Sequence, residues 1–440
     1  MSISDSSISA TGAVPRFTIV TPAYGCEPYL GKMVESLQAQ TFGDFECFLI
    51  VEESPDRSLE RCRELAEGDH RFQVTSLPKS GSGSASYNYG IRAAHGEYVV
   101  FVDGDDWIEP ESLERISKAI KEYGGVDVLL ASGREVFECP DGGFQDIQRI
   151  SNVKQAGTGK VLNGRELIVK VGRAQNYQVL NICRTEFLRE HELYFAHGLQ
   201  QEDTEWTPRV WFFAERVGTL DFTFYNYRRW PGSVQGACSP RLLMDFSKIV
   251  SLQFDFHDTH DIPAEVLAVW RNQWISMIYW YFFHPQYVSK FTLQVRENAL
   301  ANVMGDEAKW ERFKRIARCT SLPKRLALPL VARAVKKHDF RWADWYFKYI
   351  YYPLVMLFKK YLHRLISGTY IVELNCALRG DGRDALQRAL RGQGEFGTSS
   401  HAGHAGARPS HISPKSHDVE SGMANTSNPR TLKKRSRLVI

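Results

Sequence analysis

The chain has 440 residues, 43% hydrophobic and 24% charged, with a formal net charge of +4. This is globular composition, long enough for two domains or one domain with a large extension, and too weakly basic to argue for nucleic acid. Eight cysteines without close pairs or a C-x-x-C pattern predict reduced, mostly buried thiols rather than a disulfide frame or a zinc site.

Residues 1–15 are polar and read as a flexible N-terminus without the charged and apolar regions of a signal peptide. Phe17–Thr21 is a short β-branched run between Pro15 and Pro22, which predicts a buried strand. Tyr29–Gln40, with Leu30, Met33, Val34 and Leu37 at helical spacing, predicts a helix. A strand over Phe45–Val51, a helix over Leu59–Glu67, a strand over Phe72–Leu77, a helix over Ser84–Ala94 and an apolar strand over Tyr98–Val102 follow. This alternation predicts a parallel sheet with helices on both faces. Val126–Ala131, Leu180–Arg184 and Gly218–Tyr227 read as further strands, with a loop or hairpin over Asp141–Gly159. Residues 241–391 read as a helical region rich in aromatic and basic residues, and 392–440 as a disordered tail of Gly, Ser, His, Asn and Pro. The longest apolar runs, Trp274–Phe283 and Ile350–Phe358, fall short of the ~20 residues that cross a bilayer.

The chemistry concentrates where the strand Tyr98–Val102 runs into Asp103, Asp105 and Asp106. In open α/β sheets ligands collect at the carboxyl ends of strands. Carboxylates there suit Mg²⁺ or Mn²⁺, which keeps coordination sites for phosphate oxygens and neutralises a diphosphate leaving group. A polar turn capping the next helix is the alternative. Three further features share the strand ends. Thr21-Pro22-Ala23-Tyr24 follows the first strand, and the acidic Glu52-Glu53 follows the second. The Gly81–Gly90 segment, GSGSASYNYG, leads into a helix whose N-terminus favours anions.

With these motifs in place, residues 16–240 resemble glycosyltransferase family 2, with its GT-A fold, a mixed sheet flanked by helices. FTIVTPAYGCEPYLGKMVESLQAQTF, FLIVEESPDRS, SGSASYNYGIRAAHGEYVVFVDGDDW and QEDTEWTPRVW carry the resemblance. It implies an NDP-sugar donor, UDP-sugar first, a divalent metal and an inverting mechanism. By position it implies Pro22, Tyr24, Glu27, Glu52 and Glu53 in the nucleotide pocket. Asp103 and Asp106 fall on the sugar-nucleotide side, Asp105 with Asp103 at the metal, and Asp203, with Glu202 as second choice, as general base. Without the resemblance, Glu202-Asp203 reads equally as acids on a first helical turn. The second motif has Glu-Glu for the usual Asp-Asp, and Tyr87 stands where the family carries Arg.

Arg228 and Arg229 are candidates for the donor diphosphate, because guanidinium pairs well with phosphate oxygens. A surface strand with solvated arginines is the alternative. His197 reads as a structural histidine or a neighbour of the metal. The aromatic and basic helices read either as a core with lysines and arginines turned outward, or as a face for an anionic membrane. The expected protein is a metal-dependent inverting glycosyltransferase in the cytoplasm or on the cytoplasmic face of the membrane. Its acceptor would be a glycan or lipid-linked hydroxyl in surface-polysaccharide or glycoconjugate assembly. A catalytically silent GT-A scaffold is the second expectation. A dinucleotide oxidoreductase is excluded, because Tyr24-Gly25-Cys26-Glu27-Pro28 does not supply the required glycines.

Overall fold

The long β-branched runs become strands buried on both faces. The computed structural model describes residues 14–139, 143–229, 239–318, 320 and 322–356. In chain order the strands are β1 (Phe17–Ala23), β2 (Phe45–Glu52), β3 (Phe72–Leu77), β4 (Tyr98–Phe101), β5 (Trp107–Ile108), β6 (Val128–Glu138), β7 (Phe144–Ser151), β8 (Asn181–Arg184) and β9 (Val217–Arg229). The helices that surround the sheet are α1 (Glu27–Gln38), α2 (Ser58–Ala66), α3 (Ser84–Ala93), α4 (Ser112–Glu122), α5 (Val153–Ala156), α6 (Gly164–Val171), α7 (Thr185–Glu190) and α8 (Glu202–Phe213). The chain continues with α9 (Pro240–Thr259), α10 (Ala264–Phe283), α11 (Pro285–Val288), α12 (Leu293–Met304), α13 (Glu307–Arg318), α14 (Leu322–Leu326), α15 (Leu328–Lys337) and α16 (Arg341–Tyr346).

The sheet order is β3-β2-β1-β4-β8-β6-β9-β5, with β7 paired to β6. The expected parallel arrangement holds from β3 to β4. Beyond β4 the sheet is mixed: β8 runs antiparallel to both β4 and β6, β6 and β7 form a hairpin, and β5 pairs antiparallel with β9. The reason is local. After β6 the chain reverses through a hairpin instead of crossing over through a helix, so the next strands need not keep the first direction. β1, β2 and β4 are buried nearly throughout, as strands covered by helices on both faces must be. Their carboxyl ends lie side by side, and the acidic turn leaves from β4.

The helical region continues the same core. Phe246, Phe254, Trp270, Trp274, Tyr279, Phe282 and Phe283 are buried with the sheet residues in one apolar cluster. The described helices from α9 to α16 therefore share this core with the sheet, and all described residues belong to one compact unit. The expected tail at 392–440, the stretch 357–391 and residues 1–13 lie outside the described residues.

Candidate active site

The acidic turn is held from two strands. Asp106 is buried; its Oδ2 accepts the Tyr225 hydroxyl at 2.7 Å and its Oδ1 accepts the Arg228 amide at 2.7 Å. The same Tyr225 hydroxyl accepts from the Asp103 amide at 3.1 Å. Arg228 donates from Nε to the Asp105 carbonyl at 2.7 Å and from a terminal nitrogen to Glu138 at 2.6 Å. Gly104 fits because a Cβ there would stand 2.9 Å from Cys26 Sγ and 3.0 Å from the Pro22 carbonyl. Tyr225 and Arg228 of β9 thus hold the turn that presents Asp103 and Asp105, both partly exposed, at the end of β4.

Tyr87 of α3 supports Asp103 from the other side. Its hydroxyl donates to Asp103 Oδ1 at 2.5 Å and accepts from Gln178 Nε2 at 2.7 Å. The ring packs against Phe101 and Phe195. The Asn88-x-Gly90 pair has separate work. Asn88 exchanges two hydrogen bonds with the Phe195 backbone, and a Cβ at Gly90 would stand 2.3 Å from Val20 Cγ1.

Phe195 in turn stacks on Trp206 of α8 at 4.5 Å, which fixes the helix that begins with Glu202-Asp203. Gln201, just before it, has φ +61°, a left-handed conformation uncommon for a residue with a Cβ, so the chain turns sharply into the helix. A Cβ at Gly83 would lie 2.9 Å from Glu202 Oε1 and 2.8 Å from Tyr87 Cε2, so the glycine-serine loop rests directly on Glu202. Arg241 of α9 ties both loops down, donating to the Gly81 carbonyl at 2.5 Å and the Gly198 carbonyl at 3.4 Å.

The carboxylates of these segments are close enough to act on one another. Burial, with Asp105 and Asp203 nearby, pushes the Asp103 carboxyl up from its ordinary value. Burial pushes Asp203 up to about 7, and burial with Asp203 and Asp103 pushes Glu202 up to about 8. Asp106 is pushed up by burial and by Asp105 and Asp103. Carboxylates poised this high are suited to accept a proton near neutral pH.

The structure disperses the expected nucleotide residues. Glu52 is buried and accepts from the Ser80 amide and hydroxyl, both at 2.7 Å, so its carboxylate shapes the glycine-serine loop. Glu27 accepts the Arg57 amide at 3.0 Å while Asp56 accepts the Glu27 amide at 3.0 Å, a reciprocal lock between the starts of α1 and α2. Arg228 is committed to the acidic turn, and Arg229 pairs with buried Glu135 at 2.8 Å. Glu53, Tyr24 and partly exposed Pro22 remain on the open side of the strand ends, with Lys79 donating to the Tyr24 hydroxyl at 2.5 Å. His197 is exposed in the turn before α8.

Among the described residues no three His, Cys, Asp or Glu side chains form a ready metal cage. The donor chemistry still fits a hard divalent cation. Asp103 and Asp105 are oxygen donors, the charge of Asp105 raises the proton affinity of Asp103, and Mg²⁺ is commonly held by one or two carboxylates together with substrate phosphates.

A mixed sheet with acidic residues at the end of its fourth strand and a carboxylate pair on a facing helix defines the GT-A class. Residues 18–168, in the N-terminal part of this chain, match the family model Glycosyl transferase family 2. The chain is 39% identical over 268 residues to the glycosyltransferase GlyA of Streptococcus pneumoniae serotype 4, covering 58% of this chain and 37% of that protein. It is 28% identical over 233 residues to the uncharacterized glycosyltransferase EpsJ of Bacillus subtilis, covering 50% and 63%. It thus spans less than two thirds of either relative. TarS of Staphylococcus aureus, a poly(ribitol-phosphate) beta-N-acetylglucosaminyltransferase, is 26% identical over 276 residues, covering 59% of this chain and 44% of that protein. The crystal structure of TarS 1–349 with UDP-GlcNAc shares the fold, with a TM-score of 0.59 at 22% identity, covering 76% of this chain and 93% of that one.

Two groups of residues escaped the sequence. Gln178, which carries no motif, meets Tyr87 across 91 positions, and Arg241, which carries none either, reaches back 160 positions to Gly81. Tyr225 was legible only as an alternating residue of β9.

Proposed function

We propose that the protein is an inverting glycosyltransferase. It moves a sugar from an NDP-sugar, UDP-sugar first, to a hydroxyl of a glycan or lipid-linked acceptor in surface-polysaccharide or glycoconjugate assembly. The reading places it in the cytoplasm or at the cytoplasmic membrane surface. The observation that carries it is the position of Asp103, which feels Asp105 on its own turn and Asp203 on α8 at once. UDP as the nucleotide is supported by the TarS complex with UDP-GlcNAc, and the acceptor class by the name of TarS.

In this reading Asp105 and Asp103 would hold a divalent cation, Mn²⁺ or Mg²⁺, which as a Lewis acid stabilises charge on the departing diphosphate. Tyr87, Gln178, Tyr225 and Arg228 keep the two aspartates in place. Tyr24 and Glu53 face the base and ribose. Asp203 takes the proton from the acceptor hydroxyl as its oxygen attacks the anomeric carbon. The bond from that carbon to the diphosphate oxygen breaks, its electron pair leaving with the NDP. A carboxyl near 7 binds that proton and releases it again at neutral pH.

The test is NDP release from a panel of UDP- and GDP-sugars by the full chain, with Mn²⁺, with Mg²⁺ and with chelator. Cation-dependent release from one donor, raised by an added glycan acceptor, is the expected result. Cation-dependent stabilisation by UDP without turnover of any donor identifies a binding scaffold instead and overturns the reading.

A further inference from the structure

The last described helical stretch turns an aromatic face to water. α16 passes into a π-helical turn (Phe347–Tyr351), and the helix continues to residue 356. Its inner side is conventional: Ala343, Tyr346, Phe347 and Tyr351 are buried, with Phe347 packed on Phe283 and Tyr279. The outer side is not. Trp342, Trp345, Tyr349, Leu354 and Met356 are 51, 49, 58, 54 and 60% exposed. Trp342, Trp345 and Tyr349 follow one another at spacings of three and four, so they share one face, and the rings of Trp345 and Tyr349 stand 6.2 Å apart. A contiguous exposed patch of large aromatics marks a surface for interaction.

The charge around this face is mostly positive. From Leu328 to Met356 the sequence has five lysines and arginines, Arg333, Lys336, Lys337, Arg341 and Lys348, against Asp339 and Asp344. Both acids are engaged, Asp339 by Arg333 and Arg341, and Asp344 by Arg296. Lys337 and Lys348 are exposed, and the Lys348 ammonium lies 4.9 Å over the Tyr349 ring. Lys336 stands 3.4 Å from Glu307.

We propose that this face docks on an anionic lipid surface. Trp342, Trp345 and Tyr349 sit at headgroup level, Leu354 and Met356 reach the acyl boundary, and Lys337 and Lys348 meet lipid phosphates. Amphipathic indole and phenol rings favour that boundary, and lysines beside it gain from the negative surface potential. A second copy of the chain is a poor occupant, because a two-fold contact would bring the same positive residues together. No helix among the described residues is long and apolar enough to cross a membrane, so the contact is one of lying on the surface. The proposal goes beyond the transferase reading and stands without it, since lipid binding needs no turnover.

The experiment is co-sedimentation of the full chain with vesicles of phosphatidylcholine and phosphatidylglycerol at 3:1, and with phosphatidylcholine alone. The chain is expected to pellet with the anionic vesicles and far less with the neutral ones, and to be released by high salt. Trp342→Ala with Trp345→Ala, and separately Lys337→Glu with Lys348→Glu, lower the bound fraction by about tenfold or more. These positions are exposed, so the far-UV circular dichroism melt of both variants stays close to the parent's. The proposal is overturned if the parent stays in the supernatant with anionic vesicles, or if both double variants bind them as the parent does. It is overturned equally if the tryptophan pair abolishes a lipid-independent dimer in gel filtration.

Discussion

The Tyr225 hydroxyl donates to Asp106 Oδ2 at 2.7 Å inside the protein, while accepting from the Asp103 amide at 3.1 Å. One phenol on β9 therefore joins both ends of the acidic turn. Tyr225→Phe removes both bonds and leaves buried Asp106 without its hydroxyl donor. Leaving a buried polar group unsatisfied costs about 1–3 kcal/mol, more for a charged one. A lowered thermal midpoint together with weaker cation-dependent UDP binding is expected. A variant with the parent's midpoint and the parent's UDP affinity would show that the turn holds itself.

Gly83 makes the second prediction, through its contact with Glu202. A Cβ there meets Glu202 Oε1 at 2.9 Å and Tyr87 Cε2 at 2.8 Å, closer than real Cβ atoms come. Gly83→Ala pushes on Glu202, at the start of the Glu202-Asp203 pair, and on the tyrosine that holds Asp103. Overpacking of this kind costs about 1–3 kcal/mol. Turnover of the donor should fall at least tenfold, while Ser82→Ala, one residue earlier, leaves it within about twofold. Steady-state kinetics of the two variants side by side make the comparison.

Asp105 and Arg241 separate chemistry from support. Asp105→Ala removes an oxygen donor and also a negative neighbour of Asp103, whose carboxyl then moves down toward its ordinary range. The fold survives, and thermal stabilisation by UDP no longer depends on Mn²⁺. Arg241→Ala frees the Gly81 and Gly198 loops without touching the acidic turn, so KM for the donor rises several-fold and kcat changes little. Equal losses in kcat from both substitutions would contradict this division.

How far the site could be read from sequence follows from the range of each interaction. β1, β2 and β4 are continuous β-branched or apolar runs, and they fold as strands within a residue or two of where the pattern ends. β5, two residues long, has no pattern to read and exists because Trp107 and Ile108 find partners on β9. The place of Asp103 and Asp105 at the end of β4 was legible because a strand end is a local feature, whereas Asp203 stood out only through the family resemblance. Glu52 is expected at the nucleotide on the same local ground, as an acid at a strand end, and it also supports the glycine-serine loop. Only the folded loop reveals that Ser80 takes its carboxylate. In the helices, Trp274 and Trp345 look alike in sequence, yet one is buried and the other half-exposed. The side of a helix that meets the core depends on helices far along the chain.

The last prediction concerns pH and Asp203, whose folded pKa of about 7 stands above the ordinary carboxylate value of 3.8. Between those values the native protein binds the proton that the unfolded chain has released. Asp203 therefore subtracts stability as pH rises from about 4 to about 7, and the deficit persists above 7. Asp203→Asn removes this penalty, so its thermal midpoint exceeds the parent's at pH 8 and converges with it near pH 4. Catalysis runs the other way. As the proposed base, Asp203 works only when deprotonated, so the parent's kcat/KM is expected to climb with pH through about 7, with the limb displaced to lower pH in a cation-loaded enzyme. In Asp203→Asn the turnover falls by about 10²–10⁴ while UDP binding is kept. A variant that keeps its turnover, or one whose midpoint drops at pH 8, would remove Asp203 from the role of base.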